Sequence, residues 1–490
     1  MNNINLVRDK WIKVKSKHSN LQYCSLREIF TCGEDIEDLD MLPIERISIM
    51  RLLICIVQSS IRGPENLLEL KFFKTQEGKL SLKENILEYL AKWEDRFNLF
   101  DEKYPFLQNP HISSSNLSDL ATMDFEMPSG NNSQFLISSN LAYKYSLKDI
   151  VIKLLVFQNY VPSGRGSIAT WVDKSSSPQV TGAICRGALA MFVLKENLWD
   201  SILANIIDVE SLKNGNLVSV QELGTASWEK SYDEVEDFII ASKTFVSTYL
   251  ARLVPLSRAI KIDENLDGLY CGEFISYTKD FQFRDSIFKY YINKDSQISR
   301  VKANSKKAIW RILPALLESD LDNGKFPLYA LKNTGTKETY SLWVGGIETD
   351  QAKNLMDMES SFVFSSYTSE DAVFAVAISV YKDLLGLSDI YLSNLKKAIS
   401  AYYKALNGSN SSAKETDLFY WTSLEEQKDI ILKLFAVSSE EERSKIKEDW
   451  ENLTLSTALD VYTQICQKET DRQLKAFISN KSKIFKKGKK

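Results

Sequence analysis

Histidine is almost missing from this chain: only His18 and His111 occur in 490 residues. Two imidazoles cannot build a histidine-rich metal centre, and they leave Ser-His-Asp or Cys-His chemistry very few arrangements. The six cysteines, at 24, 32, 55, 185, 271 and 466, include no CxxC pair, so neither a zinc ribbon nor a disulfide framework is indicated. Cys55, inside the apolar run LLICIV, reads as a core residue. No stretch comes near the roughly 18 uninterrupted apolar residues of a spanning helix. The opening MNNINLVRDKW also lacks the basic, apolar and small-residue order of a signal peptide. The expected setting is therefore the cytoplasm, with no membrane partner. A charge excess is absent too. The 61 Lys and Arg against 65 Asp and Glu leave a net charge of −4, which argues against coating nucleic acid over the whole surface. A local basic groove is compatible with that balance.

What is present is an ordinary globular composition, 44% hydrophobic and 26% charged. The length exceeds what one compact core normally holds, so two or more domains are expected. The start NLVRDKWIKV alternates as a strand anchored by Trp11, and Ser25 is placed to cap a helix beginning SLREIF. From Ile44 to Ile61, apolar residues at Ile47, Met50, Leu53, Ile54 and Val57 follow helical spacing and predict a largely buried helix. Lys103 to Pro110 (KYPFLQNP), with two prolines around aromatic and amide residues, predicts an ordered loop. Asp124 to Ile137 (DFEMPSGNNSQFLI) holds a turn at Pro128, Gly130, Asn131 and Asn132, with several free hydrogen-bonding groups. Such a loop can also be a plain connection.

Three further stretches bear on function. Val161 to Thr170 (VPSGRGSIAT) follows a helical run. Gly164 and Gly166 around Arg165 would let backbone approach a phosphate or base edge while the guanidinium supplies charge. The GKS or GKT ending of a P-loop is absent, so nucleotide hydrolysis is not supported. In the middle, Lys279, Arg284 and Lys289 are interleaved with Tyr277, Phe281, Phe283 and Tyr290. That pattern suits nucleic acid and equally suits a solvated strand face backed by packed aromatics. Lastly, Gly345 to Lys353 (GGIETDQAK) follows the apolar run Leu342, Trp343, Val344 and reads as a tight turn with an exposed tip. An amide there could push between base pairs; the same letters also spell a plain hairpin turn.

After Ser365, Val373, Val376, Ala377, Val380 and Leu384 form one helical stripe, and the run to Asn407 and Gly408 repeats it. With further helical runs at about 423–448 and 452–480, this predicts an up-down bundle. The expected fold class is α+β: a large mixed N-terminal domain, 1–365, followed by a C-terminal four-helix bundle, 366–490, that ends in the lysine-rich tail Lys481 to Lys490. That tail could touch phosphates or stay solvated.

Several of these pieces, in order, resemble the large subunit of the type I-E CRISPR surveillance complex Cascade, the CasA family. They are NLVRDKWIKV, LLICIVQ, the YPFLQ loop, the PSGNN turn, FQNYVPSGRG, ICRGALAMFV and GGIETDQA, ahead of a helical C-terminal part. The resemblance implies a non-enzymatic subunit without a cofactor; some family members carry paired CxxC motifs, and their absence from this sequence predicts no zinc. Such a subunit would read the protospacer-adjacent motif of double-stranded DNA from the minor groove, open the duplex, and help recruit a helicase-nuclease. Its implied partners are CRISPR RNA, target DNA, and the backbone, small and 5′-handle-binding subunits. The implied motif-reading residues are a glycine loop (Ser163, Gly164, Arg165, Gly166), a lysine finger with Lys279 as nearest candidate, and a glutamine wedge at Gln351 beside Asp350 and Ala352. Phe125, Met127 and Asn131 are the implied contacts to guide RNA and the neighbouring subunit. Asp350 and Glu348 depart from what DNA would favour, since carboxylates repel phosphate. Rival readings are a carboxylate and Mg²⁺ nuclease, which needs no histidine, and a helical scaffold that binds only protein.

Overall fold

The structure, a computed structural model, describes residues 3–17, 22–113, 117–127, 144–171, 174–176, 179–213, 222–230, 242–277, 284–320, 323, 328–333, 339–350, 353–364, 372–408 and 413–485. The chain divides into two compact units. The first comprises Met1–Ile309, Ser319–Thr334 and Tyr340–Val363; the second comprises Trp310–Glu318, Gly335–Thr339 and Phe364–Lys490. The fold is α+β, and its C-terminal region is helical.

The first unit opens with a small sheet in which Ile12–Ser16 pairs antiparallel with both Gln22–Cys24 and Ile36–Leu39. Trp11 is fully buried beside it, and its indole N–H donates to the Leu6 carbonyl at 3.0 Å. Ser25 caps the helix Leu26–Cys32 as expected: its Oγ accepts from the Glu28 N–H at 3.1 Å, while the Glu28 carboxylate accepts from the Ser25 N–H at 2.9 Å. The helix Pro43–Ile61 is the spine of this unit. It is buried on almost every side and so lacks the one-sided stripe of a surface helix. The cost of burying Arg51 within it is met by specific partners. Its guanidinium donates to Asp285 Oδ2 at 2.6 Å, to the Leu253 carbonyl at 3.0 Å and to the Arg252 carbonyl.

The Lys103 to Pro110 loop is ordered by its amides. Gln108 donates to the Leu99 carbonyl at 2.7 Å and accepts from the Ile262 N–H at 2.8 Å, which fastens the loop to the hairpin Arg258–Ile262 and Leu269–Glu273. A separate sheet has Tyr340–Asp350 at its centre, between Lys353–Phe364 and Ala190–Leu194. Trp343 lies opposite Phe192 in the antiparallel pair, with ring centroids 5.9 Å apart. All six cysteines are free, and Cys55 is fully buried.

In the second unit, the segment read as two helices with a break near Gly386 is one helix, Ala372–Ala405. Its buried stripe passes without interruption through Tyr381, Leu384, Ser388, Tyr391 and Leu395. Burial on both sides outweighs the roughly 1 kcal/mol helix penalty of one glycine. Similarly, Glu440–Ile465 runs through the break expected near 450 because Trp450 is fully buried, its indole N–H donating to Ser388 Oγ at 3.0 Å. The helices Ala413–Glu426 and Asp471–Lys481 complete the longer elements of this unit, with a short one at Asp429–Leu432. Among the described residues, no helix is long and apolar enough to cross a membrane.

Candidate nucleic-acid interface

Ser146 begins the helix Leu147–Tyr160 with a capping box, and the chain leaves that helix at Val161 directly into the glycine loop. There Gly164 and Arg165 pair with Val180 and Gln179. Gly164 has φ of 144°, which a residue bearing a side chain rarely adopts. Arg258 secures the loop from beneath: its Nη2 donates to the carbonyls of Pro162 and Thr181, both at 2.8 Å. Ser163 is exposed.

The glycine pair of the GGIETDQAK stretch is not a turn. Gly345 and Gly346 lie buried within the strand Tyr340–Asp350, which continues through Glu348 and Thr349 to the exposed Asp350. The pair serves close packing: a Cβ on Gly346 would stand well inside contact distance of the Ala188 carbonyl oxygen. The next strand starts at Lys353, and Gln351 and Ala352, between the two strands, lie outside the described residues. The Glu348 carboxylate accepts from the Ser305 N–H at 2.9 Å.

One cleft, with a volume of about 960 Å³, is lined by Ser163 of the glycine loop, Thr349 of the hairpin, and Tyr277. Arg186, Arg252 and Arg300 supply much of its positive charge. Each is turned into the protein: Arg300 donates to the Ile184 carbonyl, and Arg252 donates to the carbonyls of Val246 at 2.9 Å and Tyr277 at 3.4 Å. Burial lowers the pKa of Arg252 and brings that of Arg186 down to about 10, so Arg186 stays protonated at neutral pH. Lys302, on the same cleft, is exposed and forms no ion pair among the described residues.

Other sequence expectations fare differently. Lys279 lies outside the described residues, as do Phe281 and Phe283. Arg284 and Lys289 are only 9% and 2% exposed, so neither presents its charge to a ligand surface; their neighbours Tyr277 and Tyr290 are core residues. Phe125 is likewise core, 6% exposed and stacked on Phe157 at 6.1 Å. Met127 is half-buried, and Asn131 lies outside the described residues.

The acidic grouping that the sequence does not reveal surrounds Lys153, whose Nζ lies 2.8 Å from Glu126, 3.1 Å from Asp124 and 3.5 Å from Glu45. An ammonium fills its centre. Among the described residues, no group of three or more His, Cys, Asp or Glu is arranged to hold a metal ion. Sequence reasoning also gave no role to Arg186, Gly187, Thr349 or Lys302; the first two stand in the quoted ICRGALAMFV stretch, whose place beside the hairpin only the fold reveals.

Residues 5–461 match the family described as CRISPR-associated protein Cse1. The CRISPR-associated protein CasA/Cse1 of Thermus thermophilus is 23% identical over 373 residues, covering 72% of this chain and 69% of its own length. Cse1 of Thermobifida fusca has a similar fold, with TM-score 0.82 at 16% identity over 98% of this chain and 97% of that chain. A chain of a CRISPR RNA-guided surveillance complex gives TM-score 0.74 at 17% identity, over 99% of this chain and 100% of its own. The family match covers nearly the whole sequence and the same fold recurs in these relatives, so the chain belongs to the Cse1, or CasA, family of CRISPR-associated large subunits.

Proposed function

We propose that this chain is the non-catalytic large subunit of a type I-E RNA-guided DNA surveillance complex in the cytoplasm. It reads the protospacer-adjacent motif of duplex DNA from the minor groove, wedges the duplex open with Gln351 to start R-loop formation, and helps recruit a helicase-nuclease. Minor-groove base edges distinguish base pairs poorly, so such a reader tolerates several motifs. Unstacking costs a few kcal/mol, whereas later guide pairing is close to energy-neutral, so one wedge can decide nucleation.

The observation that carries this reading is the shared cleft. Ser163 belongs to the glycine loop, while Tyr277 precedes Lys279, and Thr349 precedes Gln351, by two residues each. Three stretches nominated separately from sequence thus adjoin one opening. In this reading Ser163, Gly164, Arg165 and Gly166 meet the groove, with Lys279 as the finger and Asp350 and Ala352 flanking the wedge. Met127 and Asn131 face the guide RNA and the adjoining subunit. That a chain of similar fold forms part of an RNA-guided surveillance complex supports the same assembly here.

The test is R-loop formation on a target duplex by the reconstituted complex carrying Gln351→Ala. Opening is expected to slow by about tenfold or more, as a lost unstacking contribution of a few kcal/mol requires. Unchanged opening would remove the wedge assignment.

A further inference from the structure

The turn from Gly182 to Ala188 holds none of the residues assigned to reading or wedging, yet it is fastened to both elements. Towards the glycine loop, the Ala183 N–H donates to the Val161 carbonyl at 2.9 Å and the Cys185 N–H to the Asn159 carbonyl at 3.0 Å. These acceptors lie at the end of the helix that feeds the loop.

Towards the hairpin, the same turn grips both strands. Arg186 Nη1 donates to Asn354 Oδ1 at 2.6 Å and to the Tyr160 carbonyl at 3.3 Å, while Nη2 donates to the Lys353 carbonyl at 3.2 Å. Lys353 and Asn354 are the second and third residues after Gln351. On the preceding strand, Gly187 (φ 68°) lies so close to Thr349 that a Cβ would stand 2.7 Å from its hydroxyl oxygen. Asn354 is 2% exposed, so water competes little for its bond to Arg186.

We propose that Arg186 is a positioning residue for duplex opening: through the Gly182 to Ala188 turn it sets the offset between the glycine loop and the hairpin that carries Gln351. The inference rests on the function proposed above. A planar guanidinium bridges acceptors on two elements in one fixed geometry, which the single ammonium of lysine cannot reproduce. Because wedging requires the tip to meet a particular base step while the loop holds the motif, a displacement of an ångström or so at this bracket is expressed in opening and hardly at all in phosphate attraction.

The experiment uses the complete complex with guide RNA and compares Arg186→Met, Arg186→Lys and Gln351→Ala on two targets, a full duplex and a duplex carrying a mismatched bubble beside the motif. Both Arg186 variants are expected to open the full duplex about 10- to 100-fold more slowly. On the bubble they are expected to approach the unsubstituted complex, with the salt dependence of binding unchanged. Normal opening by Arg186→Met overturns the inference, as does an equal defect on the bubble, which would indicate general misfolding. Full restoration by Arg186→Lys overturns it too, as does a salt slope reduced by about one, the mark of a direct phosphate contact. A defect in Gln351→Ala with normal Arg186 variants removes only this inference. Normal opening by Gln351→Ala removes the wedge assignment and this inference with it.

Discussion

Asp357 shows how far a single residue's chemistry is set by its neighbours. Burial pushes its carboxyl from 3.8 up to about 6; Glu126, Glu45 and Glu359 add to the rise, and Lys153 opposes it. Between those values the folded state binds more protons than the unfolded chain, so this residue's contribution to stability falls as pH rises through the window, and the penalty is full above it. A shift of about 2 units corresponds to at most about 3 kcal/mol, and about 1–2 kcal/mol once solvent screening is allowed for. Asp357→Asn is therefore expected to stabilise the protein by about 1–2 kcal/mol at pH 8, with a gain that shrinks towards pH 5. Urea midpoints at the two pH values check it, and equal midpoints at pH 8 would refute it. Residue identity alone was a poor guide at Lys289 and Arg284, whose charges the fold buries, and at Glu348, whose carboxylate holds a backbone amide.

Two glycines demonstrate that an element's extent depends on what lies against it. Gly346 sits in mid-strand with the Ala188 carbonyl pressed against the place of a Cβ, whereas exposed Gly386 sits in mid-helix with nothing within 4 Å. Gly346→Ala must displace backbone and is expected to cost about 2–3 kcal/mol. Gly386→Ala is expected to stabilise the second unit by about 0.5–1 kcal/mol, because alanine loses less entropy in a helix and meets no obstruction. Chemical denaturation of both variants gives the two signs; a neutral Gly346→Ala would argue against the close strand packing. In sequence, each glycine resembled a break. Local propensity indeed opposes both elements there, and packing overrules it.

The second unit draws in a segment well upstream of its main span, Trp310–Glu318, and Trp310 packs that segment against the later helices. Its ring meets Trp421 at 6.0 Å and Trp450 at 5.9 Å, both edge-on, and its indole N–H donates to Glu425. Trp310→Ala is expected to destabilise this unit by about 3–5 kcal/mol, read as a lowered calorimetric transition. An unshifted transition would mean that the upstream segment contributes little.

The strand, cap and buried-helix patterns at Trp11, Ser25 and Ile44 to Ile61 were legible because they depend on residues a few positions apart. So was the family, through the order of short motifs along the chain. The cleft was not legible, since Ser163, Tyr277 and Thr349 meet only when distant segments pack, just as Arg51 finds Asp285 across 234 positions. Periodicity and propensity act within a turn or a strand, and that much the sequence determined by itself. Which charges are buried, which glycines are packed and which loops share an opening were decided by tertiary structure, because desolvation and contact depend on neighbours in space.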